Sequence, residues 1–155
     1  MTARQVGFWA GGVPIPQGSK RIGRNRATNK PVLIDDNKKL DPWRDWVAVN
    51  ARQGMQGQAA FDCPVLVDLA FYMPRPGYHF TKGGELRDDA PVWCAVPPDI
   101  DKLERAVFDA MTAARVWVDD SRAVMVHKSQ RYAGPGQAPG VSVLVTELPN
   151  EEGWA

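Results

Sequence analysis

Two acidic pairs carry the chemistry most visible in this sequence. Asp99 and Asp101 are separated by one residue, and Asp119 and Asp120 are adjacent further along. Carboxylates grouped this way suit metal-assisted phosphodiester hydrolysis. Mg²⁺ prefers hard oxygen ligands, takes few carboxylates and keeps several waters. Bound beside a phosphate, it polarises the ester, activates a water and stabilises the departing oxygen. Spacing alone leaves a plainer alternative open. Asp99 also reads as a helix N-cap, Asp101 as a first-turn acid facing Arg105, and Asp119-Asp120 as a turn.

Elements must position these acids. Ile100, Leu103, Ala106, Val107, Ala110, Met111 and Ala114 form one apolar stripe at helical spacing, which predicts a helix capped by Asp99. The positive end of its macrodipole favours ionised Asp99 and Asp101. A short strand is expected at Val116 to Val118, then the Asp119-Asp120-Ser121 turn. A helix of about 16 residues is about 24 Å long. Asp120 therefore reaches the helix start only if the chain reverses and the next strand runs back, or if a partner subunit supplies it.

Around this unit the sequence predicts a strand at Gln5 to Val13, with Val6, Phe8 and Ala10 on one face, and a short one at Pro31 to Ile34. A helix follows, with Asp41 as N-cap, Pro42 in its first position, Trp43, Trp46, Val47 and Ala51 on its inner face and Gly54 near its stop. Pro64 to Met73 alternates as a half-buried strand, with Val65, Val67, Leu69, Phe71 and Met73 inward. Residues 74–98 form a long irregular segment of the kind that is usually functional or disordered. Strands are expected at Ala123 to Lys128 and Val141 to Glu147, joined by GPGQAPG as an antiparallel pair. Residues 149–155 read as a loose tail. The fold class is α+β, one domain over 1–155, with two helices packed on a mixed sheet.

Charge is divided along the chain. Before Asp35 there are six basic residues and no acid, five of them (Lys20, Arg21, Arg24, Arg26 and Lys30) within a Gly- and Asn-containing segment at about 18–30. This reads as a mobile basic loop suited to a phosphate backbone. The remainder carries 13 basic and 18 acidic residues, so a formal net charge of +1 is a cancellation. No apolar run is long enough for a membrane span, and the Gly/Pro-broken start does not read as a secretory signal. Cys63 and Cys94 form no CxxC pair, which favours a reducing cytoplasm over a disulfide scaffold or zinc finger.

The stretch PPDIDKLERAVFDAMTAARVWVDDSRAV, Pro97 to Val124, resembles the signature of the RusA family of Holliday-junction resolvases. It has Asp-x-Asp at a helix start, a helix reading L-x-[K/R]-A-x-x-D-A-[L/M], a short hydrophobic strand and Asp-Asp-[S/A]-x-[V/A]. The loop after Met-Pro-Arg-Pro and the closing VSVLVTEL fit as well; the first 60 residues are similar only in organisation. The resemblance implies a homodimeric, Mg²⁺-dependent endonuclease, with Mn²⁺ as a substitute, that nicks four-way DNA junctions symmetrically in recombination and repair. It assigns Asp99, Asp101 and Asp120 to the metal and leaves Asp119 as a turn residue. Where the family commonly has a catalytic lysine, four residues after the second Asp, this chain has Arg105. Arginine grips phosphate but does not donate a proton at neutral pH. Lys102 is a substitute, about 100° round the helix from Asp101.

Other patterns carry less. GGVPIPQGSKR lacks the order of a phosphate-binding P-loop, and His79 and His127 are isolated. Trp43, Trp46 and Trp117 fit core faces. Trp93 is a loop anchor or a base-stacking ring. Tyr78, His79, Phe80 and Lys82 could touch DNA near a junction centre. A metal nuclease on another branched DNA and a non-catalytic DNA-binding module are the alternatives.

Overall fold

The computed structural model describes residues 3–18, 21–34 and 38–149. Lys20 and most of the expected tail, residues 150–155, lie outside the described residues. In chain order the elements are β1 (Gln5–Gly11), β2 (Arg21–Arg24), β3 (Pro31–Ile34), α1 (Leu40–Met55), β4 (Val65–Met73), α2 (Ile100–Ala113), β5 (Ala123–Tyr132) and β6 (Gly140–Glu147). Four strands make a mixed sheet in the order β1-β6-β4-β5, while β2 and β3 pair separately. The class is α+β, as expected.

Strand β4 shows how alternation becomes architecture. Val65, Val67, Leu69, Phe71 and Met73 are all buried, and the residues between them are half-buried. A strand enclosed on both edges must hydrogen-bond on both. It pairs in parallel with β5 and antiparallel with β6. The expected β5–β6 hairpin is therefore corrected: β4 lies between them. The link at 133–139 steps over the end of β4, spanning two strand spacings of about 4.8 Å each.

The inner residues of the sheet, including Val6, Ala10, Val67, Phe71, Val141 and Val143, join the apolar stripes of both helices in one core. Helix α2 follows the predicted stripe closely, with Leu103, Ala106, Val107, Ala110 and Met111 buried. Helix α1 starts two residues earlier than predicted. Lys39 occupies its N-cap and Leu40 is buried. Burial of Leu40 draws the helix back over Asp41, whose carboxylate instead pairs with Arg44. Pro42 is accommodated because first-turn amides have no helical acceptor.

Two further expectations change, and one holds. Trp46 is 48% exposed rather than in the core, because Leu40, Trp43, Val47 and Ala51 set the inner face; its indole N–H donates to the Gly11 carbonyl at 2.8 Å. Helix α1 does end near Gly54, as expected: it runs one residue further to Met55 and closes through Gln56 in a left-handed conformation, φ 50°. Gly54 also serves packing: a Cβ there would lie 2.8 Å from the Gly7 carbonyl oxygen. Val116 to Val118 is no strand but a single bridge, Trp117 to Phe61. Trp117 itself is buried, and its indole N–H donates to Thr112 Oγ1 at 2.7 Å.

Candidate active site at the first turn of the second helix

Pro97 and Pro98 cannot continue a helix backward, so α2 begins immediately after Asp99. The Asp99 backbone is extended, and its carbonyl accepts from the Lys102 and Leu103 amides at 3.1 and 3.2 Å. Its carboxylate makes no capping hydrogen bond. It is exposed, with the Lys102 ammonium 3.9 Å away. Asp101 is exposed in the same turn. Arg105 is exposed one turn on, and among the described residues no ion pair joins it to Asp101. The simple surface pair that spacing allowed is therefore not formed. Two carboxylates and two cations share this end of α2, and neither acid is consumed by the fold.

Long-range contacts hold this turn in place. The Gln17 amide donates to the Lys102 carbonyl at 3.0 Å. The Gln130 side chain, on β5, donates to the Pro98 carbonyl at 3.0 Å, and Lys128 pairs with Glu104. These last two contacts also show where β5 goes. It starts beside Val65 and reaches the first turns of α2 only at Lys128 to Gln130.

Asp120 is at the other end. It opens a short 3₁₀ turn, Asp120–Arg122, just ahead of β5. Asp119 fits its expected supporting part: its carboxylate accepts from the Ser121 amide at 3.0 Å. That hydrogen bond holds the Asp119 carboxyl below its ordinary range. Arg122 clamps the turn to Asp62 at 2.8 Å. Between Asp99 and Asp120 lies the full α2, 14 residues or about 21 Å. The chain does reverse, as one route required, but the returning strand carries the residues after Asp120 rather than Asp120 itself. Among the described residues no three metal-ligating side chains converge. One chain thus brings Asp99, Asp101, Lys102 and Arg105 together and leaves Asp120 apart.

Residues 11–146 match the family described as Endodeoxyribonuclease RusA. The chain belongs to the RusA endodeoxyribonuclease family. It is accordingly a nuclease of the junction-resolving type, whose substrate class is branched DNA. A comparison with curated proteins returns no match. Among the described residues no helix is long and apolar enough to cross a membrane.

The RusA match takes in the basic segment, whose described part, residues 21–30, belongs to a hairpin. Arg21 and Arg24 bound β2, and β2 pairs with β3 as a hairpin. Its turn is closed locally: the Asn25 side chain accepts from the Ala27 amide at 2.9 Å, and Asn29 adopts φ 55°. Polar Asn residues do this readily because their side chains replace missing backbone partners. Arg24, Arg26 and Lys30 are exposed on this hairpin, and among the described residues none has an acidic partner.

The long segment at 74–98 is also built rather than loose. Arg75 supports it from within, donating to the carbonyls of Ala133 at 3.0 Å and Pro91 at 2.8 Å and lying 3.3 Å from His79 Nδ1. His79 is buried, edge-on to Tyr132 with ring centroids 4.7 Å apart. Val92 and Cys94 hydrogen-bond with the end of β5. Trp93 stays exposed and stacks with Arg131, 4.9 Å from its ring centre. His127 is an exposed partner of Asp68 at 3.3 Å. Sequence reading missed Arg75, Arg122 and Gln130. They position the site through contacts distant in sequence, and nothing in their local pattern distinguishes them from surface polar residues.

Proposed function

We propose that the chain is a Mg²⁺-dependent, homodimeric resolvase that cuts four-way DNA junctions by paired symmetric nicks during recombination and repair in the cytoplasm. The observation that supports this most is the pair Asp99 and Asp101, exposed and uncapped on one helical turn, in a chain of the RusA family. Hard, hydrated oxygens with no internal hydrogen-bond role suit Mg²⁺, or Mn²⁺ in its place. Asp99 and Asp101 would hold the ion, with Asp120 completing the set. A bound ion supplies Lewis-acid polarisation of the phosphate and a more acidic water.

Separation of Asp120 from the other two acids favours a site shared between subunits, with Asp120 contributed by the partner. Val124 and Met125, 61% and 45% exposed directly after the Asp120 turn, give that end of the molecule an apolar surface suited to a second copy. A C₂ dimer then has two equivalent sites for the two matched nicks of a two-fold junction. Arg105 steadies the scissile phosphate through its fork of donors, and Lys102 keeps a second positive charge beside Asp99. Lys20, Arg21, Arg24, Arg26 and Lys30 engage the DNA backbone, so binding weakens steeply with salt.

The test mixes the protein with a synthetic four-way junction or a linear duplex, with and without Mg²⁺ or Mn²⁺. Metal-dependent paired nicks in the junction alone are expected. Equal cutting of flaps and forks points instead to a broader branched-DNA nuclease, and binding without products at any metal concentration to a non-catalytic module. Asp101→Asn should abolish cutting and preserve junction binding. Normal cutting by that variant overturns the metal assignment.

A further inference from the structure

A cleft of about 390 Å³ opens beside the first turn of α2. Its lining includes Val13, Pro16, Tyr78, Val96 and Pro98, and no charged side chain. Pro98 adjoins Asp99, so one rim of this apolar cleft is the backbone that carries the first acid. Two of its walls are largely exposed side chains: Tyr78 is 74% exposed and Val96 50%. Its floor contains buried Met73 and Tyr132.

This cleft is held open by fixed contacts. The Gln17 amide ties the Val13–Gln17 segment to α2 through the Lys102 carbonyl. Tyr78 meets the buried His79 ring edge-on, with centroids 4.9 Å apart. His79 in turn rests on Arg75 and Tyr132. An apolar cavity at the lower end of the small-ligand range of about 300–1,000 Å³, with phenols at its wall and floor, has the size and lining that suit a flat, mostly apolar ring.

We propose that this cleft receives one unpaired nucleobase of the junction, stacked against Tyr78, while the adjoining phosphate lies at Asp99 and Asp101. The assignment rests on the branched-DNA reading above. A phosphate held at this turn, beside Lys102 and Arg105, carries its own base within one sugar's reach. At a branch point, bases leave the stack at lower cost than in a continuous duplex. Stacking on an aromatic ring tolerates any base, which suits recognition of branch structure. A charged partner surface does not suit an uncharged lining of prolines and valines.

The experiment is a double-mutant cycle between protein and DNA. Abasic sites are placed singly at the nucleotides flanking the scissile phosphate, and each junction is given to the wild type, Tyr78→Ala and Tyr78→Phe. Tyr78→Ala should slow cutting of the intact junction about tenfold, and one abasic position should slow the wild type to a similar degree. Combining the two should add little, while Tyr78→Phe, which keeps the ring, retains the wild-type response to base removal. The same cycle is run on junction affinity in the Asp101→Asn background without metal, so that its result does not depend on cutting. Additive losses in both cycles, or no sensitive abasic position, overturn the base site. Coupling in binding with no cutting by the wild type preserves the base site and overturns the nuclease mechanism instead. Melting temperatures of the Tyr78 variants should match the wild type, since the side chain is mostly in solvent.

Discussion

Asp99 stands in an N-cap position without capping, and that separates a structural aspartate from an available one. Its backbone carbonyl serves the helix and its carboxylate makes no capping hydrogen bond, only a 3.9 Å pair with Lys102, so it is available to a ligand. Arg105 shares the end of α2 with these acids and has no acidic partner among the described residues. A guanidinium stays charged at every working pH. Arg105→Ala should therefore lower the cutting rate by about 10²-fold, the scale of losing one preorganised donor to a developing anion, and leave the shape of the pH–rate profile unchanged. A profile that loses its alkaline limb would assign proton donation to Arg105 and contradict this view. Cys63 gives a separate check on local electrostatics. Partial burial pushes its thiol up, and Glu147, 3.7 Å away, adds to the shift. A raised thiol is mostly protonated at neutral pH and reacts only as pH rises towards its folded value. Alkylation of Cys63 at pH 8 should be slower than that of a free thiol, and Glu147→Gln should accelerate it. Peptide mapping of the alkylated site reads the difference, and an unchanged rate would remove Glu147 as a cause.

Helix α2 and strand β5 decide the geometry at the scale of elements. Their antiparallel course, fixed by Gln130 on Pro98 and Lys128 on Glu104, puts the Asp99 turn and the Asp120 turn at opposite ends of one helix. Helix α1 is set against β1 by a close approach at Gly54, where a Cβ would meet both Gly7 and Phe8. Gly54→Ala usually favours a helix through propensity. Here overpacking should outweigh it and destabilise the fold by about 1–3 kcal/mol. Thermal or urea unfolding measures this; a variant as stable as the wild type would mean that α1 can shift away from β1 without loss.

A molecule whose three acids do not meet in one chain makes a sharp prediction about assembly. Asp101→Asn and Asp120→Asn chains should each be inactive alone. In a mixed dimer with shared sites, one site collects both substitutions and the other collects neither. Mixing the two proteins should therefore restore single nicks, with few paired ones. If each chain builds its own site, mixing restores nothing. Gel analysis of nicked and resolved junctions separates the two arrangements, and size measurement of each protein confirms that mixed dimers can form.

Local patterns determined much of this protein. The alternation of Val65 to Met73, the apolar stripe of α2, and the placement of Asp99 and Asp101 at its start follow from periods of two and 3.6 residues, which neighbouring residues set by themselves. The Asp-x-Asp signature and its helix were legible for the same reason. Tertiary structure alone decided that β4 separates β5 from β6, that the described part of the basic segment lies on a hairpin, that Arg75 organises the long loop, and that Gly54 also serves packing against β1. It alone placed Asp120 a helix length from its expected partners. These outcomes depend on which distant segments bury each other's surface and complete each other's hydrogen bonds, and no short window of sequence contains both sides of such a contact.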